Sequence, residues 1–297
     1  MKIDEAFNTF NQSLLEKKNR VKSFKKENLK KFGEFYNSTI LECDDMQKYL
    51  PEGIAAVDGS NNSYGGADPN IIHFLRATYL PDLEREKVDE VSLISPLIDS
   101  NCSPKTDLAK LELIVGKEGL EKYQSKVLMM DGGLMRYSIG ARDEYNELVE
   151  TAREYGTLLI GVIEDMKSQS VSQALGIDGF DREIFFGLLD VGEVFFLDDE
   201  FNRKDEHEIS TFYFRPANDP MAISVDYPRE LAARKKEAAD VVRTLTFPSS
   251  RGVPLILDFV DKYCKITDRD MNYFIKKYIS EDLKRLFLDQ ARMKRWL

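Results

Sequence analysis

The stretch IAAVDGS at residues 54–60 and the stretch VLMMDGG at residues 127–133 share one pattern, in which four apolar residues run directly into Asp-Gly. Each run predicts a buried strand that carries an aspartate, Asp58 or Asp131, to its C-terminal end, where open α/β sheets place their ligand sites. An isolated Asp-Gly is usually only a turn. Here neither pair is followed by the alternating strand that a two-residue hairpin requires. The two aspartates could therefore share a metal ion.

The composition excludes several function classes. The chain has 297 residues, of which 42% are hydrophobic, and it lacks the run of about 20 apolar residues that a membrane span needs. Its N-terminus has no signal-peptide core, so we expect a cytoplasmic protein without a membrane partner. Three scattered cysteines argue against a disulfide framework or a thiolate zinc site, and two histidines argue against a histidine-rich metal site. Oxygen ligands remain, which suit magnesium or manganese.

The charge is unevenly distributed. Although the net charge is -10, residues 17–31 carry eight lysines and arginines against Glu27 alone. A second basic cluster lies between residues 276 and 295. The first segment is either a helix that contacts phosphates or an ordinary solvated helix face, and the sequence leaves both open.

The order of the predicted elements indicates a fold class. Three strands that form an antiparallel meander are followed by a helix, by the strand that ends at Asp131, and by another helix and strand. This order predicts an α/β fold with a ribonuclease H-like mixed sheet flanked by helices. The predicted parts are a helical N-terminal extension at residues 1–50, a core at 51–270 and a C-terminal helix at 271–297.

Several short motifs then resemble the NurA family of DNA nucleases. They are AVDGS at 56–60, a glutamate-bearing helix before LMMDGG at 128–133, GVI at 161–163, FYFR at 212–215 and VPLIL at 253–257. Each motif is short, but their order and spacing match that family over most of residues 50–270.

The resemblance implies that Asp58 and Asp131 are catalytic metal ligands and that a helix glutamate joins them. Glu112 is the favoured candidate over Glu118 and Glu121, because its apolar neighbours indicate an inward-facing position. The other two glutamates stay open as alternatives.

Two further positions depart from the family's pattern. Relatives often carry a histidine or an aspartate in the C-terminal helix, and here Asp261, or alternatively Asp258, would complete the metal site. Many relatives also place a lysine directly after the strand that corresponds to residues 161–163. Either Lys167 supplies that catalytic cation, or Glu164 adds a further carboxylate instead.

The activity implied by the resemblance is hydrolysis of DNA with Mn²⁺ or Mg²⁺, because clustered carboxylates repel one another unless cations bind between them. The family implies a 5′-to-3′ exonuclease that also cuts within single strands and processes double-strand breaks. The implied partners are a HerA-type hexameric ATPase and a second copy of the chain. Two alternatives stay open: an adaptor that binds DNA or the ATPase without efficient cleavage, and a metal-dependent phosphatase or nucleotide hydrolase.

Overall fold

The computed structural model describes residues 2–22 and 24–289. The chain divides into two compact units: Met1–Asp45 with Ile160–Leu255, and Met46–Leu159 with Ile256–Leu297. The described residues contain these strands: β1 (Gly33–Asn37), β2 (Ile54–Gly65), β3 (Ile71–Leu80), β4 (Val88–Ile94), β5 (Val127–Asp131), β6 (Leu158–Ile163), β7 (Glu193–Leu197), β8 (Ile209–Phe214) and β9 (Ile223–Pro228).

The α-helices of the described residues connect and cover these strands. They are α1 (Lys2–Lys22), α2 (Lys26–Leu29), α3 (Cys43–Met46), α4 (Pro104–Tyr123), α5 (Met135–Gly140), α6 (Arg142–Glu154), α7 (Ser170–Ala174), α8 (Asp181–Phe185), α9 (Lys235–Thr244), α10 (Leu255–Cys264), α11 (Asp268–Tyr278) and α12 (Glu281–Leu283). In the parts of the chain that are described, no helix combines the length and apolar character required to cross a bilayer.

The first unit contains the strand order β1-β7-β8-β9-β6, with antiparallel pairing throughout. Its aromatic side chains form the centre of its core, where the rings of Phe185 and Tyr213 stack 4.2 Å apart. The sequence motif FYFR at residues 212–215 therefore contributes mainly to this core.

The second unit contains the strand order β5-β2-β3-β4. Strands β2, β3 and β4 form an antiparallel meander, and β5 returns after α4 to pair with β2 in parallel. A meander, a helix and a strand parallel to the first one are the ribonuclease H-like arrangement that the sequence predicts. The mixed sheet flanked by helices, with helical ends, is thus confirmed.

Strand β2 is longer than predicted. The sequence predicts that it ends at Asp58, but it continues to Gly65 and pairs with β3 along that whole length. A hairpin therefore does follow Asp58-Gly59, with its turn after Gly65 rather than at the Asp-Gly pair. Polar residues are tolerated here because the far half of β2 is partly exposed to solvent.

The N-terminal extension also differs from the expected one. The sequence predicts helix up to about residue 50, whereas β1 lies at Gly33–Asn37 between short helices. This strand pairs with β7, so long-range pairing overrides a local pattern in which apolar residues are spaced as in a helix. The predicted domain boundaries at residues 50 and 270 stay a prediction.

Candidate metal centre

The register of the sheet places the two aspartates side by side. Parallel pairing between β2 and β5 ends at Val57 and Met130, so Asp58 and Asp131 are the next residues on the two strands. Side chains at matching positions of parallel neighbours point to the same face of a sheet. The two Asp-Gly motifs therefore bring their carboxylates to one end of the parallel ladder, as the sequence predicts.

Asp58 points to the face of the sheet that α10 covers. A side chain added at Gly116 of α4 would contact Val57, so Val57 faces α4 and Asp58, the next residue, faces the opposite side. There the Cys264 thiol donates a hydrogen bond to Asp58 Oδ2 at 3.0 Å. Asp58 is 8% exposed, and burial raises the pKa of its carboxyl group, while the hydrogen bonds from Cys264 and the Gly59 amide oppose that rise.

Glu112 approaches β2 from α4. Its side chain is 1% exposed and lies against Gly59, where an added Cβ would stand 2.2 Å from Glu112 Oε1. Only a glycine leaves room for the carboxylate at this position. The glycine of the first Asp-Gly motif therefore has a second role, since it admits the helix carboxylate next to Asp58.

Arg136 provides the charge that opposes Glu112. Its Nη2 lies 2.7 Å from Glu112 Oε2 and donates hydrogen bonds to the Asp131 carbonyl at 2.8 Å and to the Tyr137 hydroxyl at 2.5 Å. Burial and, to a lesser extent, the Asp58 charge raise the pKa of Glu112, whereas the Arg136 charge and a hydrogen bond with Tyr137 lower it. The net pKa is about 7. Glu112 Oε2 is buried and accepts no well-formed hydrogen bond from the described residues.

The C-terminal acid lies on the Asp58 side of the sheet. Asp261 precedes Cys264 by one helical turn, and its charge is one of the groups that raise the pKa of Asp58. Asp261 thus lies close enough to Asp58 to affect its pKa, and the choice of Asp261 over Asp258 as a metal ligand stays a prediction.

The remaining candidates are placed as follows. Glu118 and Glu121 are exposed on α4, in contrast to Glu112. Lys167 and Glu164 belong to the first unit, where Glu164 Oε2 lies 3.1 Å from Arg251 Nη1. The catalytic role of Lys167 stays a prediction.

The basic segment at residues 17–31 is partly engaged within its own unit. Lys17 forms an ion pair with Glu183 at 2.7 Å, and Lys26 forms ion pairs with Asp190 at 2.6 Å and Glu193 at 2.5 Å. These contacts favour a structural role for part of the segment. In the second basic cluster, the positions from 290 onward lie outside the described residues.

Arg136 and Cys264 are site residues that the sequence does not reveal. Arg136 follows the second Asp-Gly motif in a helix of six residues, and Cys264 continues the apolar spacing of α10. Neither belongs to a motif that indicates binding. Their roles depend on side chains from distant segments, which only the folded chain brings together.

The chemistry of the donor set fits a divalent cation, because Asp58, Glu112 and Asp131 offer buried or partly buried carboxylates and the buried Glu112 Oε2 has no well-formed hydrogen bond. Within residues 2–22 and 24–289, no three His, Cys, Asp or Glu side chains converge closely enough to hold an ion as they stand. Glu112 is paired with Arg136, and Asp58 with Cys264. Binding an ion would require these carboxylates to exchange partners.

Comparison with known proteins identifies the family of the chain. The family model of the NurA domain matches residues 52–266, which is more than half of the chain and includes every carboxylate of the site. The chain belongs to the NurA family. No curated protein matches the sequence significantly.

Solved NurA structures share the fold. The NurA nuclease from Sulfolobus solfataricus is 15% identical, with a TM-score of 0.62 over 93% of this chain and 95% of that one. A NurA structure with manganese is 10% identical, with a TM-score of 0.54 over 93% and 97% of the two chains. A NurA structure bound to dAMP and manganese is 11% identical, with a TM-score of 0.50 over 96% and 99%.

Proposed function

We propose that this NurA family member is a divalent-metal-dependent nuclease that hydrolyses DNA ends. The observation that carries the proposal is the register of β2 and β5, which brings Asp58 and Asp131 together beside the buried Glu112. Membership in a family with manganese-bound relatives supports the same chemistry.

Asp58, Glu112, Asp131 and Asp261 would hold Mn²⁺ or Mg²⁺. Bound divalent ions activate a water molecule and stabilise the leaving oxygen of a phosphodiester. The protein's own contribution is to orient the ligands. Gly59 admits the Glu112 carboxylate, and Arg136 holds that carboxylate while its charge is uncompensated by a metal.

The finer assignments rest on the family resemblance alone. They are 5′-to-3′ exonuclease activity with cleavage inside single strands, a role in double-strand break repair with a HerA-type hexameric ATPase, and homodimer formation. Lys167 would supply a cation to the attacked phosphate. A cytoplasmic location is part of the same proposal.

The adaptor function is the second candidate. It is favoured by the Arg136–Glu112 ion pair, which neutralises a carboxylate without a metal. In that case the chain would bind DNA or the ATPase while cleaving poorly.

The test is digestion of end-labelled single- and double-stranded DNA with Mn²⁺, Mg²⁺ or a chelator. Wild-type protein and Asp58→Ala are compared with Asp143→Ala, which alters an exposed acid on α6. We expect metal-dependent cleavage by the wild type and the control, and none by Asp58→Ala. DNA binding without cleavage by any of them would favour the adaptor, and hydrolysis of a small phosphoester alone would favour a phosphatase.

A further inference from the structure

A second polar cluster lies across the sheet from Asp58, on the same face. Asp58 of β2 is opposite Thr78 of β3, which in turn is opposite Asp89 of β4. The Thr78 hydroxyl donates a hydrogen bond to Asp89 Oδ1 at 2.6 Å. Asp89 is therefore on the same face of the sheet as Asp58, and strand β3 lies between the two residues.

Next to this row is a cavity of about 340 Å³ between β3, β4 and the segment that joins α10 to α11. The residues that give it its chemical character are Phe74, Arg76, Asp89, Lys265, Asp270 and Phe274. Arg76 and Phe74 face the same side as Thr78, because they precede it by two and four residues along β3. The cavity is therefore a direct continuation of the Asp58 face.

The two acids of the cavity are already engaged. Asp89 accepts the Thr78 hydroxyl and forms ion pairs with Arg76, at 2.8 Å, and with Lys87. Asp270 accepts hydrogen bonds from the backbone amide of Thr267 at 3.0 Å and from its hydroxyl at 2.7 Å, within the N-terminal cap of α11.

The lining of the cavity carries two cations and two acids. Arg76 and Lys265 stand against Asp89 and Asp270, and Asp89 is also paired with Lys87, which is outside the lining. Lys265 is exposed and forms no ion pair with any residue in the described parts of the chain. Lys265 is therefore available to a phosphate group, and Arg76 can contact the same phosphate next to it.

An aromatic surface completes the cavity. The rings of Phe74 and Phe274 are 5.6 Å apart in an edge-to-face arrangement, and Phe274 is 38% exposed. Proteins that bind single-stranded nucleic acids combine cations for the phosphates with exposed aromatic rings, because every base has a face that can stack on such a ring.

We propose that this cavity binds the nucleotide adjacent to the phosphate being cleaved. Arg76 and Lys265 contact its phosphate, Phe274 stacks on its base, and Asp89 positions the Arg76 guanidinium. The ligand class is a nucleotide of a single DNA strand. The inference rests on the proposed nuclease function, because it takes the neighbouring carboxylates to be the cleavage centre.

The test measures binding of a fluorescent single-stranded oligonucleotide in the presence of a chelator, so that cleavage does not interfere. The variant Arg76→Gln/Lys265→Gln is compared with Lys117→Gln/Lys122→Gln, which removes two charges from partly exposed or exposed positions on α4. We expect the first variant to bind about tenfold more weakly, with a salt slope reduced by about 0.7 for each lost phosphate contact. The α4 variant should bind like the wild type.

A further pair of variants keeps the test decisive if the double variant unfolds. Lys265→Glu changes only an exposed side chain, and Phe274→Ala removes the stacking surface together with its ring contacts to Phe74, Tyr273 and Tyr278. Both variants should weaken binding several-fold. Unchanged affinity and salt slope in folded Lys265→Glu would overturn the proposal.

Asp58→Asn separates this proposal from the nuclease assignment. If it binds DNA normally and does not cleave, both proposals hold. Normal cleavage by Asp58→Asn together with weak binding by Lys265→Glu would contradict the nuclease site and support the cavity. Loss of cleavage in Asp58→Asn together with normal binding by Lys265→Glu would contradict only the proposal that the cavity binds a nucleotide.

Discussion

The carboxylates on the two sides of strand β2 have different partners. On the α10 face, Asp58 has a neutral partner, the Cys264 thiol, whereas on the α4 side Glu112 is next to the charged Arg136. Asp58 lies in the sheet itself, and Glu112 reaches it only because Gly59 has no side chain. The comparison shows that a single Asp-Gly pair supplies one ligand and the space for another.

The different partners have different consequences for metal binding. A buried carboxylate next to a guanidinium must lose a favourable ion pair when it binds a cation, whereas a thiol hydrogen bond is weak and easily replaced. We therefore expect Asp58 to be the more available ligand, and Glu112 to be the ligand whose engagement depends on pH and on Arg136.

The largest predicted effect concerns Glu112→Gln and stability. The folded-state pKa of about 7 is above the ordinary glutamate value of 4.5, so folding favours the protonated carboxyl group, and this contribution is lost as the pH rises from 4.5 to 7. Over that range the free energy of unfolding of the metal-free wild type should fall by about 3 kcal/mol relative to Glu112→Gln. Urea denaturation at several pH values measures the difference.

The matched control for this measurement is Glu118→Gln, on the exposed face of the same helix. Its stability should follow that of the wild type at every pH. If the curves for Glu112→Gln and wild type were also parallel, the carboxyl group would titrate normally and the contrast between the two faces would be lost.

Gly59→Ala should displace the Glu112 carboxylate without altering any charge. The new Cβ would overlap Glu112 Oε1, so the carboxylate or the strand must move. We expect a loss of about 1–3 kcal/mol in the free energy of unfolding and a large loss of cleavage. Gly140→Ala is the control, because its nearest neighbour would be the Thr106 hydroxyl at 4.0 Å. Full activity of Gly59→Ala would contradict the assigned position of Glu112.

The contrast also indicates how far the sequence predicts the site. Asp58, Asp131 and the meander follow from apolar runs and their order, because strand burial is a local pattern. The role of Gly59 in admitting Glu112 does not follow, since the Asp-Gly pair is equally typical of a turn. Arg136 and Cys264 carry no local signal, and the strand β1 is formed by pairing with a segment more than 150 residues away.

Asp261→Asn tests whether a carboxylate of α10 contributes to metal binding next to Asp58. Removing one formal charge near Asp58 without changing shape should raise the Mn²⁺ concentration needed for half-maximal cleavage about tenfold. Asp258→Asn, one turn earlier on α10, should have little effect. If the two variants exchanged these results, the ligand would be Asp258, and indifference to both would leave α10 with a structural role.

Arg136→Met should have the smallest effect and the opposite direction. Without the guanidinium the pKa of Glu112 rises further above 7. At a pH high enough to ionise it, no cation opposes its charge, so Mn²⁺ should bind about fivefold more tightly, on the order of 1 kcal/mol. Isothermal titration calorimetry measures this, with Arg142→Met, an exposed change at the start of α6, as the control. Weaker binding by Arg136→Met would indicate that the guanidinium supports the ligands rather than competing with the cation.

The central claim is that Asp58 and Asp131 form one metal centre that cleaves DNA. It is tested most directly by titrating Mn²⁺ into metal-free wild type, Asp58→Asn and Asp131→Asn, and assaying DNA cleavage in the same samples. Because each aspartate supplies a charged oxygen ligand, we predict that each variant loses at least about tenfold in Mn²⁺ affinity and loses cleavage with it. Wild-type Mn²⁺ affinity and wild-type cleavage in either variant would contradict the claim.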